Sequence, residues 1–157
     1  MGGNTEMSNK DDEFHEWEQK ETYKIGPKEI ITDLKFRELI DKLAEIINLN
    51  KSKYLYLCGV TDSGTIVAIW LRDRVKMINI SCEDFENEKD KSKVLIVDSI
   101  TKTGENLYFA AAHLSECDTA VLYYNPDSTE VPTYFAEKTK NSIVWPWNWE
   151  ISDETQT

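Results

Sequence analysis

The sequence predicts a parallel α/β fold, with a five-stranded sheet flanked by helices. Three observations lead there. Near-continuous apolar runs at 54–60, 94–97 and 119–124 alternate with stretches of helical period, the pattern of strands covered on both faces. The two turns richest in chemically capable residues, 61–64 and 98–106, directly follow such runs, and open parallel sheets bind ligands beyond their strands' carboxyl ends. The chain has 157 residues, 40% apolar and 30% charged, which suits one domain with a sizeable core.

The elements follow in order. Thr32 or Asp33 can cap a helix running to about Asn48, with Phe36, Leu39, Ile40, Leu43, Ile46 and Ile47 on its buried face. Tyr54–Val60 reads as a strand, Thr61-Asp-Ser-Gly64 as a turn, and Thr65–Arg74 as a second helix. Val75–Ile80 is the second strand, and the polar stretch 81–93 a surface loop. Val94–Val97 is a third strand ending on Asp98, followed by a loop at 99–104 and a helix at 105–115. Thr119–Tyr124 is the fourth strand. Pro126 and Pro132 bracket a loop, and Ser142–Trp145 is the short fifth strand. With right-handed crossovers, this is a Rossmann-like sheet.

Charge is concentrated at the ends. Of the net charge of −11, residues 1–21 carry −5 and residues 150–157 carry −3, leaving −3 on 22–149. The expected organisation is therefore an acidic N-terminal arm (1–21), one domain (22–149) and an acidic tail (150–157). The folded part has no basic excess, which argues against nucleic acid as a partner. No apolar run approaches the ~20 residues of a membrane span, and no signal peptide opens the chain, so the expected address is the cytoplasm. Cys58, Cys82 and Cys117 are odd in number and lack CxxC spacing, as reduced thiols would. Two histidines without clustered ligands do not make a zinc site. Fifteen Lys against three Arg is the usage of an AT-rich genome, bacterial or phage.

Val94-Leu-Ile-Val-Asp-Ser-Ile-Thr-Lys-Thr-Gly-Glu-Asn106 is the most informative segment. An apolar strand delivers the carboxylate of Asp98 to the sheet edge. The following loop offers backbone amides at a helix start, the hydroxyls of Thr101 and Thr103, the amide of Asn106, and Gly104 for close approach. Such a cradle favours phosphate. A carboxylate beside a phosphate would repel it unless a sugar diol or a metal lay between, so the pair points to a sugar phosphate. A plain strand–turn–helix needing a Gly and a capping Thr fits the same residues.

The segment resembles the phosphoribosyl pyrophosphate (PRPP) signature of type I phosphoribosyltransferases: four apolar residues, two acids, an apolar residue, two variable residues, then Thr-Gly-x-Thr. Ala120-Val-Leu-Tyr-Tyr-Asn-Pro126, Val131-Pro-Thr-Tyr-Phe135 and Ser142-Ile-Val-Trp-Pro-Trp147 resemble the C-terminal end of the xanthine–guanine/hypoxanthine (purine) branch. Leu57–Gly64 sits where that family has its pyrophosphate loop. The resemblance spans about residues 34–149. It implies the type I phosphoribosyltransferase fold and Mg2+-dependent transfer of a phosphoribosyl group from PRPP to a purine. The implied partners are small molecules, PRPP and nucleotide, with no membrane role and with a homo-oligomer common among relatives. By position, it assigns Asp98, Ser99, Thr101, Lys102, Thr103, Gly104 and Asn106 to PRPP and phosphate. Thr61, Asp62, Ser63 and Gly64 fall at pyrophosphate, and Asn125, Ile143 and Trp145 at the nucleobase. Asp98 and Lys102 are the catalytic candidates. Mg2+ would arrive with PRPP, with Asp98 or Asp62 as its protein ligand.

The departures from the family pattern bear on rate. Ser99 replaces the second acid, and Lys102 an Asp that purine-specific members use at the base. Asn106 replaces a Thr, Asn125 a Lys that reads the purine oxygen, and Ser142 a stacking aromatic. Asp62-Ser63 stand where Arg-Gly is usual, so a carboxylate faces the leaving group in place of a guanidinium. Residues 81–93 are a short substitute for the family's long closing loop. Two functions follow from the resemblance: a slow purine phosphoribosyltransferase with a divergent site, or an inactive member that binds nucleotide, phosphate or a protein partner. Trp70 and Cys58 read as core, and His15 and His113 as residues without a catalytic part.

Overall fold

The computed structural model describes residues 26–101, 116–128 and 131–148. Along these the chain forms β1 (Lys28–Ile30), α1 (Asp33–Asn48), β2 (Tyr56–Gly59), α2 (Thr61–Val75), β3 (Ile78–Asn79), α3 (Cys82–Asn87), β4 (Val94–Ile100), β5 (Asp118–Tyr124), β6 (Tyr134–Lys138) and β7 (Ser142–Val144). Five strands make one parallel sheet in the order β3-β2-β4-β5-β6. β1 and β7 form a separate parallel pair, Lys28 opposite Ser142 and Ile30 opposite Val144. β4 lies at the centre and is buried along its whole length, which is why its sequence is apolar without alternation.

The two faces of the sheet carry separate cores. Leu57, Leu95, Val97, Ala120 and Leu122 face α1 and α2, where Phe36, Leu39, Leu43, Ile47, Val67 and Leu71 pack on them. Cys58, Ile96 and Val94 point the other way, against Phe85 and Cys117. Successive side chains on a strand alternate between faces, so adjacent residues in the same run serve different cores. α1 begins as the sequence predicts: the Thr32 hydroxyl accepts from the Lys35 amide.

Several boundaries differ from the expectation. α2 starts at Thr61, not Thr65, and runs through Val75 to a left-handed cap at Lys76. The strand expected over 75–80 therefore shrinks to Ile78–Asn79. No Gly marks that helix end, so the stop is invisible to pattern reading. The loop expected at 81–93 contains α3, started by a capping box between Ser81 and Asp84 and anchored by buried Phe85. A 3-10 turn at Lys51–Lys53 and another at Lys91–Lys93 each lead towards a strand. The fifth strand of the main sheet is β6, not Ser142–Trp145; the latter shortens to β7 and pairs with β1 outside the sheet. The helix expected at 105–115, the arm at 1–21 and the tail at 150–157 lie outside the described residues.

Candidate functional site

The carboxyl ends of β2 and β4 meet at Asp98. This residue is 2% exposed, inside the strand and near its end. Its Oδ1 accepts the hydroxyl of Thr61 at 3.0 Å and the amide of Ser99 at 2.7 Å. Thr61 opens α2, and the same hydroxyl oxygen accepts the Gly64 amide at 3.1 Å. Thr61 thus caps its own helix three residues on and fastens it to the neighbouring strand. Its φ of 64° is in the left-handed region, rare for a β-branched residue and a mark of local strain of order 1–3 kcal/mol.

Two glycines make the close approach possible. A Cβ on Gly64 would lie 2.6 Å from the Val97 carbonyl oxygen and 3.3 Å from Asp98 Oδ1. A Cβ on Gly59 would lie 2.6 Å from both the Gly64 carbonyl oxygen and the Thr65 Cα. The first turn of α2 is therefore wedged between the ends of β2 and β4, backbone against backbone. Gly64 is a packing glycine of this junction. Asp62, exposed in the first turn, and Asp98, bonded to Thr61, put two carboxylates at the start of one helix. The helix dipole favours both, and both disfavour a further anion there. The Ser63 hydroxyl accepts from Trp147 Nε1 at 3.2 Å, joining the C-terminal 3-10 turn (Pro146–Asn148) to the same place.

Ser99, in β4, and Thr101, just beyond it, are both buried. The Thr101 amide donates to the Tyr123 carbonyl at 3.1 Å, and its hydroxyl oxygen accepts the Asn125 amide at 2.9 Å. These bonds lace the end of β4 to the end of β5. Asn125 spends its own side-chain oxygen on the Asp127 amide, 2.9 Å away, in an Asx turn that leaves its NH2 as the group it can turn outward. Lys102, Thr103, Gly104 and Asn106 lie outside the described residues. Of the residues expected at the nucleobase, Ile143 is half-buried on β7, while Trp145 is 3% exposed within the core. Trp145 stacks on Trp147 with ring centroids 5.4 Å apart and meets Phe36 and Tyr123 at its other contacts. Burial, with Glu29 and Glu137 adding to it, pushes the Tyr123 phenol up to about 12. Trp70, expected in the core, is half-buried between Phe36 and the guanidinium groups of Arg37 and Arg74.

The bond from Thr61 to Asp98 had no signature in the sequence, because a left-handed Thr leaves no compositional trace. The Trp147–Ser63 link was equally unreadable, since it joins residues 84 positions apart. Among the described residues no cluster of three or more His, Cys, Asp or Glu could hold a metal, and no helix is long and apolar enough to cross a membrane. Asp62, exposed at the start of α2, fits the carboxylate that a divalent cation carried in by an anionic ligand would meet, whereas Asp98 is 2% exposed and its Oδ1 already accepts from Thr61 and Ser99.

No family model matches the chain, and no curated protein sequence does. Solved structures do. A purine phosphoribosyltransferase from Pyrococcus horikoshii Ot3 is 27% identical, over 76% of this chain and 93% of its own, with a TM-score of 0.63. A Helicobacter pylori xanthine-guanine-hypoxanthine phosphoribosyltransferase is 14% identical over 83% and 99%, with a TM-score of 0.63. A hypothetical protein from Neisseria gonorrhoeae with bound ppGpp is 19% identical over 84% and 96%, with a TM-score of 0.66. The parallel sheet and these likenesses agree: the chain has the type I phosphoribosyltransferase fold, and at 27% identity it resembles a purine phosphoribosyltransferase.

Proposed function

We propose that this protein binds a 5′-phosphorylated ribose at the carboxyl ends of β2 and β4 and transfers the phosphoribosyl group of PRPP slowly to a purine. The observation that carries this reading is Asp98, buried at the end of the central strand and held in place by Thr61 in a fold shared with purine phosphoribosyltransferases. Asp98 accepts hydrogen bonds from the ribose hydroxyls. Residues 102–106 take the 5′-phosphate. The purine lies towards Asn125 and Ile143. A purine nitrogen attacks C1 of the ribose, the C1–O bond to pyrophosphate breaks, and pyrophosphate leaves with the electron pair. Mg2+ bound with PRPP supplies charge neutralisation for that departure.

The expected slowness has a physical source at the start of α2. Asp62 stands there in place of a cation, and the Gly64 amide is bonded to Thr61. Those same commitments favour a second reading, in which the site holds a nucleotide without turnover. The Neisseria gonorrhoeae protein of this fold carries bound ppGpp, so a nucleotide ligand suits the fold under either reading.

The test is nucleotide formation from PRPP and Mg2+ with guanine, xanthine, hypoxanthine, adenine and uracil. Slow, Mg2+-dependent product with a purine, faster in Asp62→Arg, is expected. Unit charges at 4 Å interact by ~4 kcal/mol at an effective dielectric near 20, and each 1.36 kcal/mol is about tenfold in rate. The variant should therefore gain at least about tenfold. No product from either protein, with nucleotide still bound, selects the second reading. A fast wild type slowed by Asp62→Arg would overturn the assignment of Asp62.

A further inference from the structure

We infer that Thr61 acts as a positioning residue for the sugar-holding carboxylate, and not as a contact to pyrophosphate. The inference rests on the reading of Asp98 as the ribose acceptor and goes one step beyond it, to what aims that acceptor. The Thr61 hydroxyl has a single proton, and it is given to Asp98 Oδ1 at 3.0 Å. One of its lone pairs is taken by the Gly64 amide at 3.1 Å. Thr61 itself is exposed, but the hydroxyl that sequence position alone assigns to the leaving group gives its proton to the strand.

Its effect on Asp98 is directional. Among the described residues, Oδ1 accepts from the residue's own neighbour Ser99 and from a different element, α2. The bond from Ser99 is local and would follow the carboxylate through small rotations. The bond from Thr61 ties it to the helix. The missing Cβ of Gly64 brings that helix close enough that a methyl there would stand 3.3 Å from the same oxygen, so no slack remains between the two elements. A carboxylate meant to meet a sugar diol gains from such a fixed orientation, because the geometry is set before the ligand arrives. The left-handed backbone of Thr61 is the conformation that lets its hydroxyl reach the strand while the chain turns into α2, so the strain is located where the aim is set.

Affinities for ribose 5-phosphate and for inorganic phosphate, measured side by side by calorimetry, test this. The probes share the phosphate and differ in the sugar, and neither depends on the base. For Thr61→Val, which deletes the hydroxyl and keeps the branched shape, ribose 5-phosphate should bind about tenfold more weakly, with phosphate unchanged. Thr61→Ser keeps the hydroxyl and should restore the wild-type ratio. Thr61→Gly removes the hydroxyl and relaxes the backbone, so it folds even where Val does not, and it should show the same selective loss. Equal weakening of both probes in the Val and Gly variants would mean Thr61 only supports the fold. An unchanged ratio in either variant would overturn the positioning role while leaving the ribose reading intact. A folded wild type that binds phosphate but gains nothing from the ribose would instead overturn the reading of Asp98 itself.

Discussion

At the scale of single residues, the junction of β2, α2 and β4 is governed by what is missing as much as by what is present. Gly64 has no room for a methyl group, because the Val97 carbonyl oxygen would stand 2.6 Å from it. Gly64→Ala should therefore cost about 1–3 kcal/mol in stability, the usual range for overpacking, read from the urea midpoint at constant m-value. The same variant should weaken ribose 5-phosphate binding, since the helix carrying Thr61 must move away from Asp98. Tyr54 is the comparable residue at the opposite end of the sheet. It is buried, donates to Asp118 at the start of β5, and shares a 2.8 Å hydrogen bond with Tyr134 at the start of β6. Burial raises its phenol's pKa well above the ordinary value, so it remains a donor at any working pH. Tyr54→Phe should cost about 1.5–3 kcal/mol by chemical denaturation, the size of a hydrogen bond to a charged group. It should leave ligand affinity unchanged, because the candidate site lies at the other end of the strands.

At the scale of elements, α1 is clamped to β6 by Lys35, whose ammonium donates to Glu137 at 2.8 Å, with Lys42 a further 3.7 Å contact. The hydrogen bond to Lys35 holds the Glu137 carboxyl below its ordinary value, and the same bond raises Lys35. A depressed carboxyl stabilises the fold above its unfolded pKa and loses that contribution as pH falls through its folded value. Thermal melts of Glu137→Gln against wild type should differ near neutral pH and converge in acid. Both side chains are about a third exposed, so the difference should stay within about 1 kcal/mol. Elements also show what pattern reading can reach. α1 was legible because Thr32 and an apolar stripe mark it, although the sequence left Thr32 and Asp33 both open as the cap and put the half-buried Ile46 on the buried face. The strands β4 and β5 were legible because a short, continuous apolar run between polar turns is what a strand covered on both faces requires. β6 was missed because its alternation, Tyr-Phe-Ala-Glu-Lys, is weak and follows a proline. β1 was missed because Lys-Glu-Ile has no strand signal of its own; its pairing with β7 supplies one. α3 was hidden by its charges, although Ser81 and Asp84 spell a capping box. The position of Asp98 near the end of an apolar strand was legible, whereas the bond from Thr61 to it depends on a backbone angle that composition does not encode.

At the scale of the whole molecule, a parallel sheet brings the carboxyl ends of β2, β4 and β5 to one edge, and the residues with useful chemistry stand there: Thr61, Asp62, Asp98 and Asn125. The opposite edge holds the Tyr54–Asp118–Tyr134 group, which ties strand starts together. The aromatic cluster of Phe36, Trp145 and Trp147 joins the C-terminal turn to α1 and, through Ser63, to the start of α2. Trp147→Phe trims the indole to a phenyl ring and deletes the donor to Ser63. It should lower stability by at least about 0.5–1.5 kcal/mol in denaturant titrations, the hydrogen-bond share of the loss. The central claim is that this edge recognises a phosphorylated ribose through Asp98. Calorimetric titration of wild type and Asp98→Asn with ribose 5-phosphate, against inorganic phosphate as reference, tests it most directly. The account predicts that wild type prefers ribose 5-phosphate and that Asp98→Asn, which keeps an acceptor oxygen but loses the charge, reduces the preference while phosphate binds as well or better. A variant that keeps the full preference for the sugar would contradict it.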